Sequence, residues 1–359
     1  MLITTTSAIR EIVHLPGERH THMSNIDKKT NTSLKGVFLL LITAFIWGTS
    51  FVAQSMGMEK IEAFTFNGIR TVMGGLFLLP VILIKELLGR RSVISISDSS
   101  TPDSEETSDL YNDDTVIGDT ASFTDTRQSI FTKKALKYGI ILGCLFCVAS
   151  NFQQFAFYYS TAGKIAFVTA LYMFFVPILG LFIKKKVPIL TWLCVVCGFV
   201  GLYFLCITPD QLNGINKGDF LALICAFFYG IHILCVEKFA REVDGTLLSC
   251  LQFFVGGGIS LILMFIFETP NISNILAAGK PLLYSGIMSC GIAYTLQIIG
   301  QKYTEATIAS LLMCMESVFA VLSAAIILHE YLTGREILGC VIMFVAIIIS
   351  QISTARSNS

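Results

Sequence analysis

Charged side chains are scarce. Lys, Arg, Asp and Glu make up 14% of the 359 residues, where a soluble chain carries about 25%. The 25 basic and 25 acidic residues cancel, so no net field draws the chain to nucleic acid or to acidic partners. These shortages exclude a nucleic-acid-binding protein, a disordered chain and an ordinary cytosolic enzyme. A Walker motif is missing, so ATP is not the energy source within the chain. His329-Glu330 lacks a second histidine four residues on, and the zinc-protease pattern fails. No pair of aspartates stands in the apolar runs to serve as a facing catalytic pair. All eleven cysteines fall in those runs, leaving no loop disulfide framework. The CxxC spacings Cys144/Cys147 and Cys194/Cys197 place each pair on one helix face, where cysteine is a common small apolar filler. The sequence therefore predicts no enzyme, no metal and no cofactor.

What is abundant is apolar sequence, 54% of the chain. A bilayer crossing needs about 20 mostly apolar residues. Ten such runs occur, at 36–55, 63–84, 138–158, 162–183, 189–207, 218–237, 246–267, 281–300, 304–328 and 334–352. Open backbone polar groups are intolerable in lipid, so each run is predicted helical. Period-2 alternation is absent, which argues against a barrel. The expectation is an all-α membrane protein with ten transmembrane helices. Residues 1–34 form a polar tail with Met23 as a possible start, and 353–359 a C-terminal tail. Within residues 85–137, the stretch from Asp98 to Asp125 carries nine acidic side chains among many Ser and Thr. That composition cannot build a packed core, so this segment is expected to be a disordered loop outside the membrane. The flanks holding Lys28, Lys29, Lys35, Lys85, Lys133, Lys134 and Lys184 to Lys186 are richer in cations than the opposite flanks. Both termini and the acidic loop are therefore expected in the cytoplasm of a multi-pass plasma-membrane protein.

A repeat lies under the hydropathy. Lys35-Gly36-x-Phe38-Leu39-x-Leu41-Ile42-x-Ala44-Phe45-x-x-Gly48 recurs 182 residues later as Lys217-Gly218-x-Phe220-Leu221-x-Leu223-Ile224-x-Ala226-Phe227-x-x-Gly230. Gly74-Gly75 then matches Gly256-Gly257. Further on the offset shortens to 143, pairing Gly143 with Gly286, Cys147 with Cys290, Gln154 with Gln297 and Thr161 with Thr304. The difference of 39 residues falls where the acidic loop lies. Two five-helix halves follow, 35–207 and 208–352. Five is odd, so the second half enters from the opposite face, an inverted repeat such as many secondary transporters use.

Several segments carry a family resemblance. They are Ala44-Phe45-Ile46-Trp47-Gly48-Thr49-Ser50-Phe51, Thr161-Ala162-Gly163-Lys164-Ile165-Ala166-Phe167, Gln301-Lys302-Tyr303-Thr304-Glu305-Ala306, Met315-Glu316-Ser317-Val318-Phe319-Ala320 and His329-Glu330-Tyr331-Leu332-Thr333. In this order they resemble the EamA-type members of the drug/metabolite transporter superfamily, over nearly all of 35–352. The resemblance implies a ten-helix carrier with a central cavity for small metabolites. One departure is Ser317, where many relatives carry proline after the glutamate.

Ionisable groups at membrane depth are functional candidates by default. A polar residue whose repeat partner is apolar is the better functional candidate. Glu316 is the sharpest, facing Met173, or Val176 if a gap falls earlier. Desolvation disfavours the charged carboxylate there, so the group is suited to carrying a proton or binding an amine; the plain alternative is a protonated acid bonded to a neighbouring helix. Lys164 (partner Thr307) and Arg70 (partner Gln252) are read as structural charges or cavity-mouth groups. Snorkelling accounts for the lysine equally well, and a carboxylate between helices would hold the arginine. His232 aligns with Ser50 and is suited to proton relay or to a neutral hydrogen bond. Trp47, Asn151, Gln154, Tyr172, Tyr229, Tyr294 and Gln297 complete the expected substrate-binding set, since a cavity needs a few polar groups among apolar walls.

The expected activity is secondary transport of an amino-acid-like or drug-like metabolite by alternating access, with proton coupling at Glu316. The alternatives are an uncoupled facilitator or exporter of amino acids and a non-transporting membrane receptor. The expected partners are a small-molecule substrate and the lipid bilayer, with no nucleic acid; the chain is expected to be a monomer or homodimer.

Overall fold

The computed structural model describes residues 16–98, 132–207, 216–327 and 333–357. Within them the chain is helical throughout: α1 (Pro16–Met58), α2 (Ala63–Asp98), α3 (Lys133–Ala156), α4 (Ala162–Thr169), α5 (Tyr172–Phe182), α6 (Ile189–Cys206), α7 (Lys217–Phe239), α8 (Gly245–Phe267), α9 (Ile272–Ala277), α10 (Gly279–Leu283), a π-helix (Tyr284–Tyr294), α11 (Thr295–Gln301), α12 (Ala306–Met313), α13 (Met315–Ile327) and α14 (Gly334–Ser357). Among these residues, seven helical segments are long and apolar enough to cross a membrane. They are Leu34–Met58, Ala63–Leu88, Lys133–Ala156, Ala162–Phe182, Lys217–Phe239, Gly245–Phe267 and Gly279–Gln301. Ile189–Leu205 and Ala306–Ala320 are shorter apolar helices.

Every apolar run read from the sequence is occupied by helix in its described residues, and two helices outrun theirs by several turns. The first begins at Pro16, ahead of the apolar run, and Pro is at home in a first turn because its missing N–H has no intrahelical role there. The second continues past residue 84 to Asp98. Lys85, Glu86, Leu87 and Leu88 are strong helix formers, so polarity ends the apolar run without ending the helix. The acidic segment beyond Asp98, together with His329 and Glu330, lies outside the described residues.

Local chemistry sets the starts. Thr132 accepts from Ala135 N, Thr161 from Lys164 N and Asn271 from Ser273 N. Asn216 and Asp219 form a reciprocal capping box at the head of α7. The outer faces carry Leu76, Leu79, Leu83, Phe220, Ile262, Phe265, Phe344 and Ile348, all exposed. An apolar belt of this extent suits acyl chains and not water.

Glycines set the close approaches. A Cβ on Gly143 would stand 2.6 Å from Val255 Cβ and 2.9 Å from Gln252 O; one on Gly286 would stand 3.0 Å from Met73 Cβ and 3.1 Å from Arg70 O. Met73 and Arg70 stand 182 positions before Val255 and Gln252. Gly201 and Gly339 approach each other's backbone across α6 and α14.

Two helices are interrupted, at Ala170–Leu171 between α4 and α5 and at Cys314 between α12 and α13. The hydrogen bonds tighten to i−3 there, as in Leu171 N to Val168 O and Ser317 N to Cys314 O. The second break forms with serine at 317, so proline is not required for it. The breaks touch: Cys314 Sγ lies 3.6 Å from Ala170 O.

Candidate binding cavity

A cavity of about 460 Å³ opens beside these two breaks. Helix α1 supplies Trp47, Phe51 and Gln54, one face at spacings of four and three. Arg70 comes from α2, Gln153 from α3, and Thr169 and Tyr172 from the two sides of the first break. Tyr229 and Ile233 come from α7, Ser289 and Tyr294 from the π-helix, Gln297 from α11 and Glu316 from α13. The repeat offset of 182 relates Trp47 to Tyr229 and Phe51 to Ile233, and all four line the space. A π-helical segment is wider than an α-helix and recurs at functional sites.

The wall has an aromatic part and a polar part. The Trp47 and Tyr294 rings are 4.6 Å apart, and the Tyr229 and Tyr294 hydroxyls 2.8 Å. Gln153 Nε2 donates to Thr169 Oγ1 at 3.4 Å, and Gln297 Nε2 to Gln301 Oε1 at 3.0 Å. Trp47 Nε1, Gln54 Oε1, Tyr172 OH and Gln297 Oε1 are buried without a hydrogen-bond partner among the described residues. Each such group costs roughly 1–3 kcal/mol until something satisfies it.

Two ionisable side chains face the same space. Arg70 is 2% exposed and Glu316 4%. The ion pairs among described residues are Lys85–Asp244, Lys134–Glu242, Lys164–Asp219, Lys185–Glu237 and Arg241–Glu237; neither Arg70 nor Glu316 is in one. Arg70 Nε and Nη2 instead donate to Asn67 Oδ1 at 3.0 and 2.9 Å. The interhelical carboxylate expected to hold Arg70 is replaced by a neutral amide. Tyr172 stands beside Glu316 without a hydrogen bond of ordinary geometry.

Of the residues singled out in the sequence, the cavity gathers Trp47, Tyr172, Tyr229, Tyr294, Gln297, Glu316 and Arg70. Asn151, Gln154, His232 and Lys164 stand elsewhere. Asn151 Nδ2 donates to Cys147 O and Ser260 Oγ, both at 2.8 Å, and its Oδ1 accepts from Asn67, tying α2, α3 and α8 together. Gln154 is fully buried and does not line the cavity. His232 Nε2 lies 3.0 Å from Gln252 Oε1, between α7 and α8. Lys164 Nζ pairs with Asp219 Oδ2 at 2.7 Å, at one end of the bundle. Gln54, Gln153, Thr169 and Ser289 were not singled out. The repeat held the signal: their partners are Val236, Leu296, Leu312 and Phe146, all apolar. Gln154, matched by Gln297, passed that filter least well.

The sequence profile of the EamA-like transporter family matches residues 34–96 and 216–351. An uncharacterized transporter of Archaeoglobus fulgidus is 25% identical over 311 residues, covering 86% of this chain and 83% of its own. The uncharacterized transporter YoaV of Bacillus subtilis is 22% identical over 324 residues, covering 88% and 97%. A solved crystal structure, 14% identical with a TM-score of 0.64, covers 90% of this chain and 99% of that one; at that identity the likeness speaks for the fold alone.

Proposed function

The chain belongs to the EamA-like transporter family, and from that premise we propose a secondary carrier that moves a small amino-acid-like or drug-like metabolite across the plasma membrane by alternating access. Ten helices in two inverted five-helix halves, 35–207 and 208–352, provide the two pseudo-equivalent states. The paired glycine approaches support that symmetry, because contacts of Gly143 reappear at Gly286 one repeat earlier. So do the matched helix breaks beside the cavity, a device by which carriers build midplane sites. The cation-rich flanks support a cytoplasmic position for the Lys185–Glu237 end, both termini and the acidic loop.

The observation that carries the reading is the cavity itself. Both halves line it, and its wall holds buried polar atoms with no partner among the described residues. Glu316, the one lining carboxyl among the described residues and in no ion pair with any of them, is the proton-coupling group. In proteoliposomes loaded with candidate metabolites, Glu316→Gln is expected to remove the dependence of flux on an imposed pH gradient while leaving exchange without a gradient. Gradient-dependent flux that persists in Glu316→Gln rules the coupling role out. Wild-type flux indifferent to a collapsed gradient identifies an uncoupled facilitator instead.

A further inference from the structure

We propose that Arg70 is the anion-binding residue of the cavity, that Asn67 positions it, and that the transported molecule carries a carboxylate. The inference rests on the cavity being the transport site. A guanidinium keeps its charge in any protein environment, and a buried cation without a counter-charge is strongly unfavourable. Arg70 is 2% exposed, lines the cavity and pairs with no described carboxylate. Its only hydrogen bonds to described residues run to Asn67 Oδ1, through Nε and Nη2 at 3.0 and 2.9 Å. The Nη1 edge, unused by any described residue, is left for the cavity.

Asn67 is itself fixed. Its Nδ2 donates to Ser150 Oγ at 3.0 Å and Asn151 Oδ1 at 2.9 Å, and Asn67 is fully buried. The amide thus presents its oxygen to the arginine and its nitrogen to α3. A neutral acceptor orients the guanidinium without cancelling its charge, and an aspartate in its place would cancel it. Holding the planar fork in one orientation is what bidentate recognition of a carboxylate requires.

The test uses the purified full-length chain in detergent, with a Trp192→Phe background so that cavity-lining Trp47 is the fluorophore. Three acid/amide pairs serve as probes: butyrate and butyramide, benzoate and benzamide, 3-phenylpropionate and 3-phenylpropionamide. At least one acid is expected to bind about tenfold or more tightly than its amide, as a charge-assisted bond predicts. Asn67→Asp gains a counter-charge for Arg70 but loses the donation to Asn151 Oδ1; it is expected to fold yet lose that preference, leaving amide affinity unchanged, while Arg70→Gln loses it too and Arg70→Lys keeps part of it. A merely structural Asn67 would not separate acids from amides. The proposal is overturned if no acid out-binds its amide, or if Asn67→Asp keeps the preference. Should acids bind through Arg70 while liposomes show no flux, the transport reading fails and the anion site stands.

Discussion

Lys164 Nζ lies 2.7 Å from Asp219 Oδ2, both side chains largely shielded at 14% and 8% exposure. The pair ties the start of α4 to the start of α7. At the far ends of the same run of helices Lys185 bonds Glu237. The 162–182 run and α7 are thus fastened at both ends. At the repeat-related place between α1 and α12, Val37 and Thr307 stand where the first pair has Asp219 and Lys164. Breaking a shielded pair from one side leaves an uncompensated charge, so Lys164→Met or Asp219→Asn alone should cost roughly 2–4 kcal/mol. The double variant should recover most of that loss. Thermal unfolding of the four proteins in detergent gives the coupling; additive losses would show that the two groups do not interact.

Gly48 and Gly258 make opposite predictions from the same substitution. A Cβ at Gly48 would stand 2.5 Å from Glu316 O and 2.8 Å from Ala320 N, which are backbone atoms and cannot swing aside. Gly48→Ala should therefore destabilise by about 1–3 kcal/mol and disturb the segment that presents Glu316. A Cβ at Gly258 would meet nothing within 4 Å. Gly258→Ala removes only backbone freedom inside a helix and should stabilise by roughly 0.5–1 kcal/mol. Melting temperatures that move in the same direction would contradict these packing assignments.

The helices were legible because lipid permits so few backbone solutions: apolar length locates the seven described segments long enough to span, and two of the remaining runs form the shorter helices Ile189–Leu205 and Ala306–Ala320. Their ends were less legible, since helix propensity carries α2 beyond the apolar segment to Asp98. The cavity was legible where polarity coincided with a break in the repeat, as at Tyr172 and Glu316, whose partners are Met315 and Met173. His232 and Asn151 satisfied the same expectation of polarity at depth, yet each turns to a neighbouring helix. Rotation about a helix axis decides between wall and seam, and a run that is apolar on nearly every face gives little periodicity from which to read it. Arg70 depended on a partner whose identity the chain order conceals. Asn67, three residues earlier and one helical turn away, became visible only as a contact.

Asp244 gives a pH prediction. It caps α8, its Oδ1 accepting from Thr246 N at 2.9 Å and Leu247 N at 3.0 Å, while Lys85 Nζ stands 3.2 Å from Oδ2. Against the upward push of desolvation, the Leu247 N–H and the Lys85 charge hold this carboxyl below its ordinary value. A depressed folded-state value means the unfolded chain takes up the proton first as pH falls. The stabilisation is therefore present above the usual carboxylate range, near about 4, and is lost as pH drops through the lower folded value. Asparagine caps a helix about as well as aspartate, so Asp244→Asn should keep the cap and lose only the charge. Melting curves of the two proteins should differ at neutral pH and converge in acid. A gap that widens in acid would reverse the sign and reject the assignment.

Glu237 gathers three donors at the cation-rich end. Besides Lys185 it accepts from Arg241 Nη2 at 3.3 Å and from the Ala306 N–H at 3.1 Å. It so joins the loop after α5, the end of α7 and the first residue of α12, parts of both repeat halves. Removing the carboxylate leaves two cations without their shared counter-charge and a helix-start N–H without an acceptor. Glu237→Ala should cost about 2–3 kcal/mol in thermal stability, and Glu237→Gln less, because an amide oxygen can still receive Ala306. If this cluster seals that end of the cavity, loosening it should admit solvent to Trp47. In the Trp192→Phe background, acrylamide quenching of Trp47 should therefore rise in Glu237→Gln and rise further in Glu237→Ala. Quenching unchanged in both variants, with the stability loss intact, would confine Glu237 to a structural tie and place the seal elsewhere.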